Sequence, residues 1–237
     1  STGSTNFPVL NAYQSASQGM LDGFITELDS AGNITWSTYH GGSGTDAAKS
    51  IAVNAQSEIF MMMGSFSTNL PVVNPVQVAS NGGGELYFVK YAGPSTNRNP
   101  VWATYYGGSA DDRPELRNLA VSGQGKLLAA GTTNSTDFPM VNPIQPVNNS
   151  GGAWEAVIIC FNQNGTVDWS TYYGGSNDDW AHGVTFDPQN NVLVVGGTQS
   201  TDFPTNNPIQ PNNASSSTAL SDAFIIALGS SGPPVTP

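Results

Sequence analysis

Positive charge is scarce in this chain. Three Lys and three Arg stand against 17 Asp and Glu in 237 residues, a formal net charge of −11. The concentrated basic face that nucleic acid or an anionic membrane surface requires cannot be built from so few cations. Long apolar runs are also missing: no window approaches the roughly 18 residues of a spanning helix, so membrane insertion by a helix is excluded. There is one cysteine, Cys160, and therefore no disulfide within the chain. It lies in the apolar run Val157-Ile-Ile-Cys-Phe161, where a free thiol behaves as a small buried hydrophobe rather than a nucleophile. Histidine occurs twice, at His40 and His182, which leaves few bases for catalysis. No ten-residue segment has helical periodicity.

Uncharged polar residues and turn formers fill the space left. Ser, Thr and Asn number 69, with 27 Gly and 16 Pro, while charged residues make up 10% against a usual quarter. At 38% hydrophobic the chain is too apolar for full disorder.

The organising signal is an internal repeat. Trp36-Ser-Thr-Tyr-His-Gly-Gly, Trp102-Ala-Thr-Tyr-Tyr-Gly-Gly and Trp169-Ser-Thr-Tyr-Tyr-Gly-Gly lie 66 and 67 residues apart. Asn6-Phe-Pro, Asn69-Leu-Pro, Asp137-Phe-Pro and Asp202-Phe-Pro form a second series, the last three followed by Asn-Pro-(Val/Ile)-Gln. A third series runs through 22–28, 85–91, 155–161 and 222–228, an acidic residue opening a β-branched and aromatic run. The chain is three and a half copies of one unit, roughly 1–36 (partial), 37–102, 103–169 and 170–232, followed by a Pro-rich linker over 233–237 that points to a further domain.

Each unit carries four strand signals, in the last full unit roughly 166–173, 182–187, 191–198 and 222–228. Asp187-Pro-Gln-Asn-Asn191 reads as a tight turn, and in Asp29-Ser-Ala-Gly-Asn33 and Asn162-Gln-Asn-Gly165 an acid or amide starts the turn while Gly supplies positive φ. Val192-Leu-Val-Val195 and Phe224-Ile-Ile-Ala227 are apolar on both faces, as in sheets covered on both sides. The expected fold is all-β, with four-stranded antiparallel blades of about 66 residues.

The combination Thr-Tyr-Tyr-Gly-Gly-Ser-x-Asp-Asp, an apolar hairpin ending Gly-Gly-Thr, then Ser-Thr-Asp-Phe-Pro-x-x-Asn-Pro-Ile-Gln, then Asp-Ala-Phe-Ile resembles the bacterial seven-bladed β-propeller repeat family (SBBP-type repeats) over essentially residues 4–232. The resemblance implies a propeller module of secreted or surface-attached proteins, with no common catalytic activity. The first full unit departs most, with Met61-Met-Met-Gly64 for the usual Val/Gly run and Gly44-Thr45 at an acidic position.

Candidate site residues come from the loops. Gly107-Gly-Ser-Ala-Asp-Asp112 and Gly174-Gly-Ser-Asn-Asp-Asp179 offer paired carboxylates, so Asp111, Asp112, Asp178 and Asp179 are candidates for a hard cation such as Ca²⁺. The competing reading is that these acids satisfy backbone N–H groups in their own Gly-rich turns, with no cofactor. Just after the loops Ala47, Arg113 and Trp180 hold equivalent places, so the repeat varies there with large side chains. Trp can stack on a sugar face and Arg can hold a carboxylate, which makes Trp180 and Arg113 ligand candidates, with Trp154 a further one. Trp36, Trp102 and Trp169 belong to the frame and are expected in the core. The expected role is an extracellular or cell-surface binding or scaffold module without catalysis, its partner a surface polysaccharide or surface protein. The alternatives are a carbohydrate-active enzyme with its site on one propeller face, for which Asp178, Asp179 and His182 are nearest in sequence, and a pure spacer. Half a ring exposes apolar faces and sheet edges, so association with a second copy or with the rest of a larger parent is expected.

Overall fold

The computed structural model describes residues 1–214 and 221–229; the linker expected at 233–237 lies outside them. Among the described residues there is no helix. Thirteen strands follow in order: β1 (Gly23–Leu28), β2 (Ile34–His40), β3 (Asp46–Val53), β4 (Ile59–Ser65), β5 (Glu85–Ala92), β6 (Asn99–Tyr106), β7 (Asp112–Val121), β8 (Leu127–Thr133), β9 (Glu155–Phe161), β10 (Val167–Tyr173), β11 (Asp179–Phe186), β12 (Val192–Thr198) and β13 (Asp222–Leu228). They form four antiparallel sheets in chain order: β1-β2, β3-β4-β5-β6, β7-β8-β9-β10 and β11-β12-β13.

The expected turns close the hairpins. Asp187 Oδ1 accepts the Gln189 and Asn191 N–H groups at 2.8 Å each, and Asn190 takes φ +62°, which the residue tolerates because its short amide stabilises the left-handed region. Asp29 holds Ala31 and Asn33 in the same way around Gly32 at φ +85°. The first strand of each complete hairpin, however, begins earlier than the apolar pattern suggests. In β11 the pairing extends past a bulge between Ala181 and Gly183 to Asp179↔Thr198, and β3 repeats the bulge between Ala48 and Ser50. The extra residue breaks the alternation on which a sequence pattern depends. Sheet boundaries therefore fall in the Gly-Gly-Ser loops, whereas the unit boundary at 102/103 cuts through β6.

Successive sheets stack face to face, and this accounts for strands apolar on both sides. On β5, Tyr87, Val89 and Tyr91 pack with Ile25 and Trp36 of the preceding sheet, while Leu86 and Phe88 pack with Val157, Ile159 and Phe161 of the following one. Ala156, Ile158 and Cys160 on the opposite face of β9 meet Val192, Val194, Phe224 and Ile226. Trp36, Trp102 and Trp169 are buried in these layers. Arg98 crosses the first interface, paired to Glu27 at 2.9 Å and lying over the Trp36 ring.

Among the described residues β2 pairs with β1 and bridges to Leu10 and Gln14, and β13 pairs with β12. Apolar side chains stay exposed on β3, at Ile51 and Val53, and on the last sheet, at Val195 and Ile225.

Candidate functional site

Every Gly-Gly-Ser loop is held by the same set of acceptors. The last residue of the loop, Asp46, Asp112 or Asp179, is buried and takes the N–H of Gly42, Gly108 or Gly175 on Oδ2, at 2.7 Å in each case. Ser67, Ser135 and Ser200 donate their hydroxyls to that same oxygen, and Ser65 and Thr133 donate to Oδ1 of Asp46 and Asp112. The loop serine in turn donates to Asn69, Asp137 or Asp202 of the Phe/Leu-Pro segment, at 2.8 to 2.9 Å from its N–H. The first acids are employed too: Asp111 Oδ1 accepts the Gly84 N–H and Asp178 Oδ1 the Trp154 N–H. Thus Asp111, Asp112, Asp178 and Asp179, the candidates for a cation, each accept at least one backbone N–H. Among the described residues no group of three or more His, Cys, Asp or Glu is placed to hold a metal.

Against each buried acid stands a second one that loop reading alone does not disclose. A Cβ built on Gly107 would overlap both Glu85 Oε1 and Asp112 Oδ2, and one on Gly174 would overlap Asp179 Oδ2 and lie 2.7 Å from Glu155 Oε1. Two carboxyls thus share the space beside one glycine. Burial, with smaller repulsion from Glu85, pushes Asp112 up to about 7, and burial with repulsion from Asp179 lifts Glu155 to about 7. Glu85 and Asp179 are raised for the same first reason, burial. Glu155 Oε2 and Asp179 Oδ1 are buried without a hydrogen-bond partner. The signal in the sequence was the acid that opens each third-series run. The Gln of Asn-Pro-Ile-Gln reaches it: Gln145 donates to Glu155 at 2.6 Å and Gln77 to Glu85 at 2.8 Å, while their Oε1 atoms accept the N–H groups of Gly174 and Gly107.

The ligand candidates share one end of the sheets. Arg113 is the second residue of β7 and Trp180 the second of β11, the strand packed beside it. Trp154 stands where the neighbouring unit has Gly84, and its carbonyl accepts the Asp179 N–H at 2.7 Å. The Arg113 guanidinium lies over the Trp154 ring, 4.5 Å from its centroid, and pairs with Asp111 at 2.8 Å while its side chain stays 55% exposed. Trp154 and Trp180 are half-buried. Arg113 and Trp154 thus form a partly exposed cation–indole pair, and Trp180 directly follows the Asp179 whose N–H the Trp154 carbonyl accepts.

The residues available for acid-base or nucleophilic work are placed elsewhere. His40 is fully buried between Tyr87 and Tyr91, its imidazole held down to about 3 by burial. Burial pushes the Cys160 thiol up to about 12. His182 is exposed on β11, whereas Asp179 is sealed beneath the loop.

Residues 168–204 match the SBBP family model, described as a beta-propeller repeat. The matched segment runs from β10 of one sheet through β11 and β12 of the next, so it is offset by one strand from the sheet that it helps to build. Its Trp169, its Gly-Gly-Ser loop and its Asp202-Phe-Pro segment are the elements that recur through the rest of the chain. No curated protein matches the chain.

Proposed function

We propose that the chain is a segment of an extracellular or cell-surface β-propeller that binds or scaffolds and does not catalyse. The observation that carries this reading is the stacking of the Arg113 guanidinium over the Trp154 ring, with Arg113 and Trp180 at the equivalent positions where the repeat varies with large, interaction-prone side chains. Indole faces stack on sugar rings and a guanidinium holds a carboxylate, so an acidic surface polysaccharide suits it best, with a surface protein as the other partner class. The carboxyls with raised proton affinity, Asp112 and Glu155, are buried beneath their loops and offer no approach to a glycosidic bond, which counts against the glycosidase reading.

Titration with an oligogalacturonate tests the proposal. Trp154→Ala and Trp180→Ala are each expected to weaken binding about tenfold or more, while the melting temperature falls by no more than about 4 °C, since these indoles are half-buried. A collapse of the melting temperature with Trp180→Ala would assign that indole to the frame instead. For Ca²⁺ the expected effect is small: the loop carboxylates already accept backbone N–H groups, so chelator should move the melting temperature by less than about 10 °C, equivalent to roughly 3 kcal/mol.

A further inference from the structure

A further position at the loop end of the sheets breaks the repeat with an aromatic side chain. Phe66, Asn134 and Gln199 directly follow β4, β8 and β12, and their N–H groups donate alike to the carbonyls of Thr45, Asp111 and Asp178, at 3.0, 3.0 and 2.9 Å. The next residue is held alike too: Ser67, Ser135 and Ser200 donate their N–H groups to the hydroxyls of Ser65, Thr133 and Thr198. One backbone turn therefore carries three different side chains. Asn134 is employed locally, donating to the Gly152 carbonyl at 3.1 Å. Phe66 is 60% exposed. Its sheet is nevertheless covered on both faces, by the layer of Ile25 and Trp36 on one side and by that of Leu127, Val157 and Phe161 on the other.

Contacts tie Phe66 to the cation–indole pair. Gly84 stands where the neighbouring unit has Trp154, and a Cβ built on it would lie 3.3 and 3.4 Å from two carbons of the Phe66 ring. The bare glycine lets that ring lie against the main chain. The Gly84 N–H donates to Asp111 Oδ1 at 2.9 Å, Asp111 Oδ2 accepts from Arg113 at 2.8 Å, and the Arg113 guanidinium lies over the Trp154 ring. The line of contacts thus runs without a break from a phenyl ring of one sheet, through an ion pair whose acid and base are 34% and 55% exposed, to an indole of the next. A ring face at each end can stack on a sugar, the guanidinium between them can hold a carboxylate, and the Asp111 carboxylate can accept from sugar hydroxyls.

We propose that Phe66 and Asp111 form a second sugar subsite continuous with the Arg113–Trp154 pair, so that the ligand is a linear uronate-containing glycan engaged along its chain, across two sheets, and not by its end. The inference rests on the reading of Arg113 and Trp154 as a glycan-binding pair and adds to it the length of chain that is recognised. Phe66→Leu separates the ring face from mere apolar cover, since Leu still covers Gly84 but has no flat face, and Phe66→Tyr restores the face.

The test is calorimetric titration of the intact chain with trigalacturonate and with hexagalacturonate. The parent is expected to bind the hexamer about tenfold or more tighter than the trimer. Phe66→Leu should lose about fivefold or more of the hexamer affinity and keep the trimer affinity within about twofold, while Phe66→Tyr keeps both. Trp154→Ala should weaken both oligomers. Equal hexamer affinity of the parent and Phe66→Leu, or equal weakening of both oligomers by that variant, would overturn the second subsite, and the Arg113–Trp154 pair would still stand if Trp154→Ala weakened binding. A parent that binds neither oligomer up to about 1 mM would overturn both readings together.

Discussion

Replacing Gly107 with Ala is expected to lower the melting temperature by roughly 6 to 20 °C. The residue follows β6 directly, and its missing side chain leaves room for the Glu85 and Asp112 carboxyls. Neither acid can swing aside cheaply. Asp112 is anchored by Gly108, Thr133 and Ser135, and Glu85 by Gln77, Ser80 and Asn81. Overpacking a buried site costs about 1 to 3 kcal/mol, and a displaced acceptor leaves donors unsatisfied at about 1 to 3 kcal/mol more. The sum, on the order of 3 to 5 kcal/mol, converts at about 2 to 4 °C per kcal/mol for a chain of this size. Gly174→Ala should behave likewise, since Asp179 and Glu155 take the same places. Gly123→Ala is the control: nothing lies within 4 Å of its Cβ position, and its melting temperature should stay within about 2 °C of the parent. A thermal melt in which Gly107→Ala and Gly123→Ala coincide would refute the crowded-carboxyl account.

The glycine case shows what a single sequence can and cannot disclose here. The repeat exposed Gly107-Gly108 as a fixed feature, and the buried Trp102 and Trp169 were legible because residues retained in every unit are those that the stacked sheets require. The strands read as apolar on both faces, 192–195 and 224–227, are covered on one face only, with Val195 and Ile225 exposed, because no further sheet lies on them among the described residues; β5 and β9 are the strands covered on both sides. What stayed hidden was pairing across distance. Asp112 reads as one member of a loop dyad with Asp111, whereas in space it turns away from that neighbour, inward to Glu85 at the start of β5. Asp111 turns outward to Arg113. Adjacent acids on an extended backbone point to opposite sides, so neighbours in sequence separate while residues 27 positions apart meet. The bulge at His182 is equally silent in the sequence, because its position depends on the register of β12 and not on residue type. Arg113 stands out in the sequence for breaking the repeat and Trp154 for directly preceding a strand; their stacking requires the fold.

The buried acids also set how stability should vary with pH: the chain is expected to melt about 4 to 8 °C higher at pH 6 than at pH 8. Asp112 and Glu155 hold their protons up to about 7 in the folded state, well above the value near 4 of an unfolded carboxyl. Between pH 4 and 7 the folded chain therefore binds more protons than the unfolded one, so stability is present at low pH and is lost as pH rises through 7. From pH 6 to pH 8 each such group forfeits about 1.4 kcal/mol. His40 acts in the opposite sense. Held near 3 when folded, it stays neutral while the unfolded imidazole gains its proton below about 6.5, which removes roughly 0.8 kcal/mol by pH 6. The net gain on acidification is about 2 kcal/mol, reinforced by the weakening of repulsion in a chain of charge −11. Below pH 4 the trend reverses, because Asp29, Asp137, Asp187 and Asp202 accept hydrogen bonds as carboxylates and are lowered by them. Glu155→Gln isolates the cause. Gln keeps the acceptor for Gln145 and puts an N–H₂ group where Glu155 Oε2 is buried without a partner. The advantage of this variant over the parent should be about 3 to 6 °C larger at pH 8 than at pH 6, and it should lose about 1.4 of the roughly 2 kcal/mol by which the parent changes between them. A parent melting temperature that is flat or falls from pH 8 to pH 6 would show that the paired acids stay ionised inside the fold, and the interior beside Gly107 and Gly174 would then have to be far better solvated than its burial indicates.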